Sequence, residues 1–161
     1  MAEWISAFAL LCSILGIGLL LIQIRRASDT AKISLLFAIN RDLNAYADVA
    51  EMIESHHEGN WVRTLEIKKR ERLLDYISYF EGIQLSLARH LFKIEEVNAF
   101  FANRFFRLAN NISIREEVFL NKNLYSDAFQ PIFILHASLS VYRDRKGLPT
   151  LFGGSPLKSE P

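Results

Sequence analysis

The step Glu54-Ser55-His56-His57 has the Glu-x-x-His spacing that sets two metal ligands on one face of a helix in di-iron bundles. Such a centre also needs a second step of the same kind and further inward carboxylates. The other histidines do not supply one, because Leu87 stands three residues before His90 and Phe133 three before His136. No arginine precedes a histidine at the four-to-six-residue offset used by a class of small helical nucleases. Serine nucleophile elbows, P-loops and His-Glu-x-x-His zinc motifs are absent as well. The sequence therefore predicts no catalytic set, no metal and no cofactor.

Glu81 is the more informative carboxylate. It follows Phe80 in a weakly charged stretch, Tyr76 to Gln84, at the border of an apolar stripe. A carboxylate there is costly without a partner. Arg104, set among phenylalanines on the next helix, is the expected partner, with Arg89 and Arg107 as substitutes. The expected role is a structural ion pair that fixes helix register, ahead of a catalytic acid. The doublets Phe100-Phe101 and Phe105-Phe106 recur at helical spacing. They fit core packing with one exposed ring per doublet, or a sticky face for another subunit. His90 and His136 lie in apolar runs and read as core or edge histidines.

The elements that must position these residues follow an N-terminal stretch, Ile5 to Ile24, without a formal charge. In helical form it rises about 30 Å, the thickness of a bilayer's hydrocarbon core. Its start lacks the basic residue of a secretory signal, and Arg25-Arg26 follow it directly, so an uncleaved anchor is expected. Arg25, Arg26 and Lys32 flank only its C-terminal side, which by the positive-inside rule puts the N-terminus outside and the body in the cytoplasm. Trp4 falls where an interfacial aromatic belongs. The single cysteine, Cys12, sits within this span and excludes a disulfide inside one chain.

Beyond the anchor the periodicity is helical throughout. Ile33, Leu36, Leu43, Ala47, Ala50 and Ile53 recur at helical steps, predicting one helix that ends near His57, with Glu58-Gly59-Asn60 as its stop. A second run starts near Thr64 and carries Leu73, Ile77, Phe80, Gln84, Leu87 and Leu91. Lys68, Lys69, Arg70 and Arg72 near its start are interleaved with Glu66, Glu71 and Asp75, the pattern of a solvated face. A third run spans Glu95 to about Leu108, Asn110-Asn111 interrupt it, and Ile112 to Leu120 resumes a short helix. The last run, Ser126 to about Arg145, has Pro131 in its first turns and Gly147 and Pro149 beyond its end. A net charge of +1 offers nothing to nucleic acid, and no such partner is expected.

From Arg72-Leu-Leu-Asp-Tyr-Ile-Ser-Tyr-Phe-Glu81-Gly, and from the later Asn103-Arg104-Phe105-Phe106, the chain resembles a numbered bacterial family of unknown function. Its members have one N-terminal membrane helix, basic residues after it and a helical cytoplasmic domain. The resemblance runs from Trp4 to about Arg145; it implies an architecture and supplies no catalytic residues.

These readings together predict an all-α protein: residues 1–26 a transmembrane anchor, 27–146 an antiparallel, four-helix-type cytoplasmic bundle, and 147–161 a disordered tail. The expected function is that of a membrane-tethered adaptor or sensor subunit of a bacterial inner membrane. It would act through contact with a protein partner or a second copy of itself. The alternative is a membrane-held enzyme or toxin-like effector with a polar site around Glu81 and Arg104, or around His56 and His57.

Overall fold

The structure, a computed structural model, describes residues 23, 26–56, 59–120, 129–149 and 151. The chain divides into two compact units, residues 1–38 and 39–161. In the first, Gln23 and residues 26–38 are helical; Arg26 is exposed, and its carbonyl accepts a hydrogen bond from Thr30 Oγ1 at 2.9 Å. The expected span from Ile5 to Ile24, with Trp4 and Arg25, lies outside the described residues apart from Gln23. No helix among the described residues is long and apolar enough to cross a membrane.

The second unit contains no strand among its described residues, and the protein is all-α. Helical residues 39–44 open it, followed by α1 (Ala47–Ser55) and a 3-10 turn (Trp61–Thr64). Then come α2 (Ile67–Ala88), α3 (Ile94–Ala109), a single α-turn (Ile112–Ile114) that runs into a π-turn (Arg115–Phe119), and α4 (Gln130–Arg145). α2 and α3 pack on each other, and α1 and α4 each pack on both.

The core follows from helical spacing. Leu73, Tyr76, Ile77, Phe80 and Ile83 recur every three or four residues and form the buried face of α2. Val97, Phe101, Phe105 and Leu108 do the same on α3, and Ile132, Leu135 and Leu139 on α4. Phe80 meets Phe105 with ring centroids 5.4 Å apart, and Tyr76 meets Phe80 edge-on at 5.4 Å. Each such side chain stabilises the fold by about 1.5–3 kcal/mol through its burial.

Helix ends have identifiable causes. α2 and α4 both close in Schellman geometry. Leu91 N–H donates to Ser86 O at 2.9 Å and His90 N–H to Leu87 O at 3.0 Å; Leu148 N–H and Gly147 N–H repeat the pair on Arg143 O and Asp144 O. Gly147 takes the left-handed conformation at φ 62°, and His90 takes it at φ 58° with a side chain attached. At the start of α3 the Glu96 carboxylate accepts the Lys93 backbone N–H at 2.7 Å.

The run from Ile33 to Ile53 is not the one helix that its periodicity predicts. It breaks at a turn over Ala45 and Tyr46 before α1 begins. Arg72 on α2 stabilises the break: its Nη2 donates to Ala45 O at 3.1 Å, its guanidinium clamps Asp48 at 2.7 and 3.0 Å, and it lies 5.0 Å from the Tyr46 ring centroid. Part of the expected tail is also held. Arg143 donates to Pro149 O at 2.6 Å and Asn110 Nδ2 to Leu151 O at 3.1 Å, so Gly147 to Pro149 and Leu151 follow the helices closely. Residues 150 and 152–161 lie outside the described ones.

Candidate functional site

Glu81 and Arg104 are not joined. Arg104 Nη2 donates to Asn44 Oδ1, and the guanidinium lies close enough to Tyr76 to oppose the effect of burial on that phenol, whose pKa is pushed up to about 12. Tyr76 and Glu81 are five residues apart on α2, about 140° around its axis. A cation beside Tyr76 is therefore on the flank of α2 away from Glu81. Glu81 is half-buried and has no ion pair among the described residues; partial burial alone raises its pKa above the usual carboxylate value. The substitute Arg107 pairs instead with Glu54 of α1, and Arg89 is exposed at the end of α2.

Three of the four rings in the phenylalanine doublets are core. Phe101, Phe105 and Phe106 are 1%, 0% and 5% exposed, and Phe100 is half-buried against Phe101 with ring centroids 6.0 Å apart. Phe105 and Phe106 instead enclose His136 of α4, at 6.2 and 5.3 Å between ring centroids. Burial, with the nearby positive charge of Arg115, brings the His136 pKa down to about 4. The imidazole is therefore neutral at physiological pH.

His57 lies outside the described residues. His56 is exposed at the end of α1, with Nδ1 2.9 Å from Ser55 Oγ and 3.1 Å from Met52 O. It lines a cleft of about 310 Å³ between α1 and α2, together with Asp48, Glu51, Ser55, Lys69 and Arg72. The Arg72 hydrogen bonds hold the Asp48 carboxyl below its usual pKa, so this pair is charged across the ordinary pH range. Ser55 Oγ also lies 2.9 Å from Glu51 O, where it donates along its own helix. The cleft thus offers a charged and hydrogen-bonding wall, with no hydrogen bond to His56 Nε2 among the described residues, a surface suited to polar recognition. No cluster of three or more His, Cys, Asp or Glu able to hold a metal occurs among the described residues.

Sequence reasoning missed two polar hubs. Asn111, 2% exposed, donates from Nδ2 to His56 O at 2.7 Å and Ile53 O at 3.3 Å, and accepts the Ile114 N–H on Oδ1 at 3.2 Å. It caps the end of α1 and the start of the following turn together. Glu117, buried in the π-turn, accepts from Arg63 Nε at 2.7 Å, and Ser113 Oγ accepts the Val62 N–H at 3.3 Å. These bonds tie the 3-10 turn to residues more than fifty positions later. Only the asparagine pair at 110–111 hinted at either hub, and it reads equally as a simple helix stop. Comparison of the chain with protein-family models, with curated proteins and with solved structures finds no match in any of the three.

Proposed function

We propose that the protein is a membrane-tethered helical interaction module. Residues 5–24 span the bilayer of a bacterial inner membrane with the N-terminus outside, and the helical body acts in the cytoplasm as an antiparallel four-helix-type adaptor or sensor for a protein partner or a second copy. The observation that carries this reading is the uncharged run from Ile5 to Ile24, followed at once by Arg25, Arg26 and Lys32. Further support comes from α4, which has no Asp, Glu, Lys or Arg between Gln130 and Tyr142 and leaves Ile134 and Val141 exposed seven residues apart. The test is alkaline extraction of membranes carrying the full chain or a version lacking residues 1–26. The full chain is expected to stay with the membranes and the shortened one to leave them. Release of the full chain into the wash would end the tether reading.

A second reading, an enzyme or effector held at the membrane, draws on the cleft between α1 and α2. Its expected Glu81–Arg104 form has no joined pair to act with, so the His56 side of the cleft carries it. Chemical-shift changes confined to Asp48, Glu51, His56 and Lys69 on titration with a polar metabolite library would favour it over the adaptor.

A further inference from the structure

A small cavity lies where α1, α2 and α3 meet, lined by Ala50, Ile53, Glu54, Tyr76, Arg104 and Arg107. Its volume is about 20 Å³, room for one water-sized occupant. Its lining residues include two arginines and one glutamate, so the lining is formally positive. Arg104 is the group with capacity to spare. Its Nη2 is used by Asn44, while its Nη1 is buried without an acceptor among the described residues. A buried guanidinium N–H without an acceptor is costly, and a charged acceptor relieves that cost better than a neutral one. Glu54 is itself engaged by Arg107, and Arg104 has no ion pair among the described residues.

We propose that this cavity is a binding site for a single monoatomic anion of chloride size, held by Arg104 and locking α1 to α2 and α3. The anion adds a third contact to those of Arg104 with Asn44 and Arg107 with Glu54, so the packing of α1 depends on halide concentration. This inference is independent of whether the chain is tethered to a membrane.

The experiment is thermal unfolding of the full chain, purified in mild detergent, with sodium chloride exchanged for sodium gluconate at constant ionic strength. A ligand that binds only the folded state raises the melting temperature with its concentration. A rise of about 3 °C or more between roughly 10 mM and 300 mM chloride is expected. Glu54→Gln removes the one carboxylate in the lining and should tighten the dependence several-fold, whereas Arg104→Gln should abolish it. Should Arg104→Gln fail to fold, chloride-35 line broadening on the unaltered protein gives the same answer. Excess broadening that bromide reverses supports the site. Identical unfolding in chloride and gluconate, with no excess broadening, would overturn it and leave a water on Arg104 Nη1.

Discussion

Asn111 Nδ2 donates a hydrogen bond to the backbone carbonyl of His56, 2.7 Å away and 55 positions earlier in the chain. The last carbonyls of a helix have no partner within the helix, and here a single remote amide serves two of them. Asn111→Ala would remove the partner of both carbonyls and leave the buried Ile53 carbonyl and Ile114 N–H unpaired. A loss of about 2–3 kcal/mol in urea unfolding is expected. Asn111→Asp keeps the acceptor and deletes both donors, and should be no better tolerated.

Phe105 is fully buried between α2 and α4, so Phe105→Ala should cost about 3–5 kcal/mol in stability. A docking residue would instead alter association and spare the melting temperature. Chemical denaturation beside size-exclusion chromatography separates the two outcomes.

His136 gives the fold an acid limb. Its pKa is about 4 in the folded protein against an ordinary value of 6.5 in the unfolded chain. Between those values the unfolded state binds more protons, so stability falls as pH drops from about 6.5 through about 4. His136→Leu should flatten that part of the curve of stability against pH. An unchanged slope in the variant would assign the acid limb to other groups.

Glu81 works in the opposite sense. Its folded pKa is raised above the ordinary value of 4.5 by partial burial, so its ionisation weakens the fold as pH rises through that range. Glu81→Gln should therefore leave stability at pH 7 equal or slightly higher. A structural ion pair would have predicted a clear loss, which thermal melts at pH 4 and pH 7 would reveal.

The matched Schellman ends allow an internal comparison. Gly147 adopts its positive φ without penalty, whereas His90 holds a side chain in the same conformation. His90→Gly should stabilise the protein by about 0.5–1 kcal/mol, read as a rise in the urea midpoint.

Most of the helical order was legible because it rests on local periodicity. The run expected from Glu95 to about Leu108 is found as Ile94–Ala109, and the last helix ends at Arg145 before Gly147 as its residues dictate. What was not legible depends on contacts across the chain. The turn at Ala45 and Tyr46 needs Arg72, which in sequence is one more cation in a basic cluster. Arg104 and Glu81 both border apolar stripes, but stripe borders do not say which flank faces which neighbour. The phenylalanine doublets were ambiguous for a related reason: a wide apolar arc reads as core and sticky face alike until the number of helices packed on it is known. α3 has α1, α2 and α4 around it, enough to cover three of the four rings.

The position of α4 has a consequence for biosynthesis. It packs against both α2 and α3, yet it is made after them. While the chain is still growing, Phe105 and Phe106 have no His136 to enclose. The nascent α2–α3 pair therefore passes through a stage with an uncovered aromatic face, the kind of surface that chaperones hold and that aggregates when they do not. Synthesis of α4 ends that exposure, so a stop codon ahead of Gln130 should yield an insoluble chain rather than a smaller folded one.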